Sequence, residues 1–166
     1  LVVGGAGCLG SHISENLVSN GHQVELVDNF STGHIQYIMG ILPRVKLHVC
    51  DLSNAQEMSK IVESLLPDII IFGAASYDDP NNVLRDVRVN TLGLLVFVDL
   101  CKKFKIKKFI NLQSTHFYGD VQKQRISETD RGHAVGSYGI SKAASEQLLI
   151  ESNINFISLR LATVLC

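Results

Sequence analysis

Three separated residues, Ser114, Tyr138 and Lys142, are of the types that move a proton to or from a hydroxyl. A tyrosine and a lysine four positions apart on a helix share a face, so Lys142 is predicted to lie beside the Tyr138 ring. A nearby ammonium stabilises a phenolate and lowers the tyrosine pKa toward the range useful for general acid–base work, which makes Tyr138 the candidate proton shuttle. Ser114 ends the strand-like run that leads into Leu112-Gln113-Ser114. That places it at the strands' carboxyl ends, where open α/β sheets put ligands, within reach of a reacting hydroxyl or carbonyl.

A Tyr-x-x-x-Lys pattern alone is common and means little, and its weight here comes from the other end of the chain. Gly4-Gly5-Ala6-Gly7-Cys8-Leu9-Gly10 follows the apolar run Leu1-Val2-Val3 and precedes a helix-like segment from Ser11 to Asn20. This is the strand–turn–helix context of a dinucleotide fingerprint. Gly4 permits the tight turn, Gly7 lets backbone N–H groups approach a pyrophosphate, and Gly10 lets the helix pack closely on the strand. A second strand pattern, Val24 to Val27, ends in Asp28. An acid there accepts hydrogen bonds from both ribose hydroxyls and repels a 2′-phosphate, which favours NAD over NADP.

The elements that must position these residues alternate along the chain. Strand patterns cover Leu1 to Val3, Gln23 to Val27, Lys46 to Cys50, Ile69 to Phe72, Lys108 to Leu112 and Asn155 to Leu159. Helical segments lie between them: Ala55 to Leu66, with Ser53 as its expected N-cap, and Val87 to Lys103, whose Leu94, Leu95, Val98 and Leu100 are expected to face the sheet. Gly21 is the expected C-terminal cap of the first helix. Alternation of this kind predicts an α/β fold, a Rossmann-like doubly wound parallel sheet flanked by helices, with residues 1–166 forming one dinucleotide-binding domain. The polar stretch Gln122 to Gly136 reads as a long loop.

Composition narrows the class. The 166 residues are 46% hydrophobic and carry a net charge of −1, so there is no basic field of the kind that drives nucleic-acid binding. The one basic cluster, Lys102 to Lys108, fits cations solvated near a helix C-terminus. Cys8, Cys50, Cys101 and Cys166 show no metal-ligand spacing, so no metal is expected and buried reduced thiols are. No apolar run reaches the length of a membrane span and no signal-like leader is visible, which points to a soluble protein of the cytoplasm. The chain opens inside a strand without a methionine, and reads as a piece of a longer protein.

With these motifs in place the sequence resembles the extended short-chain dehydrogenase/reductase family, in particular its nucleotide-sugar epimerases and dehydratases. The opening resembles that family's TGGAGFIGS, Asp28-Asn29-Phe30-Ser31-Thr32-Gly33 its DNLSTG, Asp51-Leu52 its adenine-contacting pair and Ala74-Ala75 its HxAA turn. Asn90-Thr91-Leu92-Gly93 resembles the NxxG of the long helix, Phe117-Tyr118-Gly119 the VYG after the catalytic Ser/Thr, and Leu159-Arg160 the LR of a later strand. The resemblance implies that NAD contacts Gly4, Gly7, Cys8, Leu9, Gly10, Asp28, Asn29, Asp51, Leu52, Ala74, Ala75, Asn90, Tyr138 and Lys142. It implies that Tyr138, with Ser114 and Lys142, takes a proton from a sugar hydroxyl, usually at C4, while hydride passes to NAD and later returns to the other face of the keto-sugar. It also implies a nucleotide-sugar substrate, a smaller C-terminal substrate region mostly missing here, and a homodimer formed as a four-helix bundle from Val87 to Lys103 and Tyr138 to Ser152.

Gln113-Ser114-Thr115 and Ala75-Ser76-Tyr77-Asp78-Asp79-Pro80 resemble a bacterial polysaccharide-biosynthesis subgroup acting on UDP-hexoses or UDP-hexuronates. Departures matter as well. Thr115 and His116 stand where the dehydratases carry Asp-Glu, which argues against 4,6-dehydration. Val3, Cys8 and Phe72 replace the usual threonine, bulky residue and histidine, and Thr163 stands where epimerases have asparagine. A C4 epimerase is therefore the leading reading. Another sugar-nucleotide oxidoreductase, decarboxylase or dehydratase, or a non-catalytic dinucleotide-binding module, are the alternatives. His116 reads either as a substrate contact or as a solvated loop residue.

Overall fold

Short apolar runs pair side by side because the inner ones can bury both of their faces only inside a sheet covered on both sides. The computed structural model describes residues 1–77, 79, 81–120 and 125–164. Its strands are β1 (Val2–Val3), β2 (Glu25–Asp28), β3 (Lys46–Val49), β4 (Ile69–Phe72), β5 (Lys108–Ser114) and β6 (Phe156–Leu161). All pairs are parallel and the order is β3-β2-β1-β4-β5-β6, so the direction of winding reverses between β1 and β4. That reversal opens a crevice at the strands' carboxyl ends, the ligand position of doubly wound folds.

The helices are α1 (Cys8–Ser19), α2 (Ala55–Leu65), α3 (Val83–Asp86), α4 (Leu94–Phe104) and α5 (Gly136–Glu151), with a π-helical stretch, Val87–Gly93, joining α3 to α4. Side chains alternate across the sheet with the period of two that strands impose. Val2 and Leu26 join Val18 of α1, together with Ile38 and Ile41, on one face. Val3, Val27, Ile70 and Phe72 meet Met58, Ile61 and Val62 of α2 and Leu94, Phe97 and Val98 of α4 on the other. Phe72 lies edge-on to Phe97, ring centroids 5.6 Å apart, and 6.1 Å from Phe109. Of the four residues expected to turn toward the sheet, Leu94, Val98 and Leu100 are buried and Leu95 is half-buried.

Three local expectations change. Helix α1 begins at Cys8, not Ser11, because Gly7 is its N-cap and the glycine-rich run passes straight into the first turn. Asn54, not Ser53, caps α2 by accepting from the Glu57 N–H, while the Ser53 hydroxyl donates to Asp51. Cys101 and Cys50 are free thiols, but Cys8 is disulfide-bonded, which corrects the expectation of reduced thiols throughout. Gly21, at φ 83°, ends α1 as expected, with its N–H on Val18 O and that of His22 on Leu17 O.

Among the described residues no helix is long and apolar enough to cross a membrane and no group of side chains could hold a metal ion. Asp78 and Pro80, part of the Ala75-to-Pro80 pattern, lie outside the described residues. So do Gln122 to Gln124 of the expected long loop, and Cys166.

The strand ends are held in register with α5 by one ion pair. The Arg160 guanidinium on β6 binds Glu146 of α5, Nη2 to Oε2 at 2.9 Å, and donates to the Tyr118 hydroxyl at 2.7 Å and to Glu128 O at 3.1 Å. It also lies 3.8 Å from the centroid of the Phe117 ring. The turn that follows β5, Thr115–Tyr118, is thereby fastened between β6 and α5.

Candidate active site

A cleft of about 810 Å³ runs along the carboxyl ends of all six strands. Its first half is built by the glycine-rich turn. Gly4, at φ 77°, lies so close to the β4 exit that a Cβ there would sit 2.7 Å from Ala74 N. At Gly10 a Cβ would sit 2.0 Å from Gly4 O, so only glycine lets α1 start this near β1. Asp28, at the end of β2, accepts the Ala6 N–H on Oδ2 and the Phe30 N–H on Oδ1, both at 2.8 Å. A carboxylate offers about four acceptor positions, so two remain for ribose hydroxyls. Asp51 accepts from Asn29 Nδ2 at 2.7 Å and from the Ser53 N–H and hydroxyl, and these hydrogen bonds from Ser53 hold its carboxyl below the usual range.

Gly4, Gly7, Cys8, Leu9, Gly10, Asp28, Asn29, Asp51, Leu52, Ala74 and Ala75 all line the cleft. Asn90 does not. It is fully buried behind the wall: Oδ1 accepts the Ser76 N–H, and Nδ2 donates to Ser76 O and to the Ser141 hydroxyl. The glycine cradle, the open N-terminus of α1 and the spare acceptors on Asp28 fit a dinucleotide.

The second half of the cleft gathers the acid–base groups. Ser114 ends β5 and Tyr138 lies in the first turn of α5, and both face the cleft. The His116 imidazole approaches from the turn after β5, its Nδ1 2.9 Å from Ser114 Oγ and its ring centroid 5.4 Å from that of Tyr138. Tyr77 meets the Tyr138 ring edge-on at 6.3 Å.

Lys142 departs from expectation. It shares the α5 face with Tyr138, but Nζ donates to Leu112 O at 2.7 Å and the side chain is 1% exposed. Burial lowers its pKa to about 8. The Tyr138 pKa is not lowered by a neighbouring ammonium. Burial raises it, hydrogen bonding with Ser114 works against that, and the charges of Tyr77 and Asp86 raise it further.

Sequence reasoning passed over Asp86. Its carboxylate is 1% exposed and accepts from the Ser76 hydroxyl at 2.8 Å and the Ser137 hydroxyl at 2.5 Å, so it ties the β4 exit to the start of α5. The one available signal was its position four residues before Asn90, on the same helix face.

Two outcomes follow. Gly10→Ala forces backbone apart at Gly4, so it is expected to remove NAD binding by the full-length protein in isothermal titration calorimetry and to lower Tm by several degrees. Lys142 titrates near 8 when folded and near 10.5 when unfolded, so between those values the unfolded chain holds more protons and stability rises with pH. Denaturant unfolding from pH 7 to 10.5 is expected to show this rise in the wild type relative to Lys142→Met.

A sequence profile of the NAD dependent epimerase/dehydratase family matches residues 1–165. The UDP-glucose 4-epimerase of Lacticaseibacillus casei is 28% identical over 166 residues, covering 96% of this chain and 49% of that protein. The UDP-glucose 4-epimerase of Streptococcus mutans is 29% identical over 170 residues, covering 96% and 50%. The chain thus spans about half the length of these curated relatives. Among solved structures, the Bordetella bronchiseptica enzyme WbmG in complex with NAD and UDP superposes with a TM-score of 0.90 at 30% identity, covering 96% of this chain and 51% of that one. The UDP-Glc/GlcNAc 4-epimerase of Campylobacter jejuni gives 0.91 at 28% identity, with the same coverage. The match over nearly every residue, joined to the cradle and the Ser114–Tyr138 pair in one cleft, places this chain in the NAD dependent epimerase/dehydratase family.

Proposed function

We propose that the chain is the cofactor-binding and proton-transferring half of an NAD-dependent UDP-sugar 4-epimerase. The observation that carries this reading is the meeting of a dinucleotide cradle with Ser114 and Tyr138 in a single cleft. Bound NAD supplies hydride acceptance and return at the carbon that bears the reacting hydroxyl. Backbone N–H groups of the Gly4-to-Gly10 turn and the N-terminus of α1 hold the pyrophosphate. Asp28 and Asn29 hold the adenosine ribose, Asp51 and Leu52 border the adenine, and Ala74 and Ala75 wall the nicotinamide side. Asn90 acts from behind, fixing Ser76 and α5 through its hydrogen bonds.

Tyr138 takes the proton of the sugar hydroxyl and gives it back, and Ser114 holds that hydroxyl in line. Lys142, fixed on the Leu112 carbonyl, places a buried cation at the end of β5. His116 in place of the dehydratase glutamate favours epimerisation, because no carboxylate follows Ser114 to assist loss of water. The names of the relatives support a UDP-hexose as substrate, with a UDP-hexuronate the other candidate of this reading. Its sugar is held largely by a smaller C-terminal region of the full protein. A cytoplasmic role in polysaccharide biosynthesis fits this chemistry.

A homodimer is part of the same reading. Leu84, Leu92, Ile140 and Leu148 are 80%, 54%, 57% and 41% exposed on the segment from α3 to α4 and on α5, an apolar face suited to a four-helix bundle.

Tyr138→Phe is expected to lower turnover of UDP-glucose or UDP-galactose by about 10³-fold or more while NAD stays bound. Proton NMR of the anomeric signals checks this in the full-length protein, and unchanged turnover would sink the reading. Light scattering is expected to give a dimer for the full-length wild type and a monomer for Leu84→Glu combined with Leu148→Glu, whereas a monomeric wild type rules the bundle out.

A further inference from the structure

We propose that Tyr77 is a substrate-positioning residue: its open ring is the wall on which the sugar of the nucleotide sugar packs while the reacting hydroxyl meets Tyr138. This inference rests on the epimerase reading and names the side chain that holds the sugar on this half of the protein.

Tyr77 presents a large ring to the cleft. It lines the cavity and is 65% exposed, although Ile70 and Phe72, on the strand just before it, are fully buried. The ring meets that of Tyr138 edge-on, with centroids 6.3 Å apart and planes inclined at 68°. Ligand pockets are lined by apolar and aromatic groups around a few placed polar ones, and here an accessible ring adjoins the acid–base residue itself.

The backbone on either side fixes that arrangement. Ser76, the residue before Tyr77, is 2% exposed and held at three points. Its N–H donates to Asn90 Oδ1 at 2.8 Å, its carbonyl accepts from Asn90 Nδ2 at 2.9 Å, and its hydroxyl donates to Asp86 Oδ1 at 2.8 Å. The other Asp86 oxygen accepts the hydroxyl of Ser137, the residue before Tyr138, at 2.5 Å. One buried carboxylate thus bridges the two residues that precede the two tyrosines. A wall set in place before the ligand arrives loses little freedom on binding.

An open ring held in this way suits a sugar. The face of an aromatic ring carries partial negative charge, whereas the C–H groups on the face of a pyranose are apolar and slightly positive. Packing one on the other leaves the hydroxyls at the rim of the sugar for Tyr138 and Ser114. Such a wall also suits the chemistry of an epimerase, which must hold two sugars that differ in the direction of one hydroxyl. A site that hydrogen-bonds a hydroxyl rejects a ligand that does not supply it, whereas a flat apolar wall accepts both.

Isothermal titration calorimetry on the full-length NAD-bound protein tests this with UDP-glucose, UDP-galactose and UDP. Tyr77→Ala is expected to weaken both sugar nucleotides about 10-fold and to leave UDP and NAD within about twofold, while Tyr77→Phe binds all of them like the wild type. In turnover, Tyr77→Ala is expected to raise KM about 10-fold with kcat within about threefold. If the ring only braced Tyr138, kcat would fall and KM would hold, and that result overturns the proposal. So does equal affinity for the sugar nucleotides in wild type and Tyr77→Ala, or a loss of UDP or NAD affinity that matches theirs. A wild type that binds neither sugar nucleotide nor UDP overturns the epimerase reading and this inference together.

Ser137→Ala removes one arm of the bridge and leaves the ring in place. It is expected to raise KM about threefold in the wild type and not at all in Tyr77→Ala, because both changes act through the same wall. Equal factors in the two backgrounds overturn the bridge.

Discussion

The cleft depends on the approach of three backbones at the end of β1. Gly4 donates its N–H to Val27 O of β2 at 2.8 Å, and Gly73 at the β4 exit donates to Val3 O at the same distance. Between these neighbours the chain must turn sharply and begin α1, whose Gly10 passes against Gly4 O. A single Cβ at Gly4 or Gly10 would occupy space already filled by peptide atoms, which cannot rotate away as a side chain could. The Ala6 N–H, which the turn leaves outside the ladder, is satisfied by Asp28. That carboxylate therefore fixes the turn and, with its other lone pairs, faces the cleft, so one residue links the shape of the cradle to the polarity of its wall.

The acid–base half is held by buried polar contacts. Asp86, Ser76, Asn90, Thr91 and Ser141 form a connected set in which Asn90 bonds Ser76 and Ser141, and the Thr91 hydroxyl donates to Ser141 O at 3.0 Å. These groups lie on or beside the π-helical stretch, whose wider winding is often found at functional sites. Polar groups withdrawn from water cost free energy unless satisfied, and a satisfied network allows few alternative packings. Its effect is to fix the segment after β4, with Tyr77, relative to the first turn of α5, with Tyr138. Loss of one member would be felt at the tyrosine even though only Asp86 and Ser76 of this set reach the cleft.

Much of this could be read from residue types, and the exceptions have physical causes. The parallel order of strands followed from apolar runs alternating with helical ones, and β4 was placed to the residue because Ile69 to Phe72 is an unbroken apolar run. The start of α1 was placed three residues late because glycine gives no helical periodicity to read. For Lys142, spacing on a helix fixes the direction of Cβ but not where a four-carbon chain ends, and the Leu112 carbonyl claimed its ammonium. Asn90 was expected at the cofactor, yet nothing in NxxG tells which wall of a helix bundle will bury it. His116 had no visible partner because Ser114, two residues before it, meets its imidazole only when the chain turns after β5.

The electrostatics of Tyr138 favour one of its two protonation states. Burial and the charges of Tyr77 and Asp86 favour the protonated phenol, and the one cation expected to oppose them is engaged elsewhere. A raised pKa makes the phenol a weaker acid and makes the phenolate, the form that acts as base, the costlier one to reach. An epimerase needs both, because the proton removed in the first half of the cycle must be restored in the second. In a partly desolvated site the free phenolate carries a high cost, which burial sets. Asp86 adds to that cost, because its buried negative charge raises the Tyr138 pKa, and the same charge favours a cation beside the phenol.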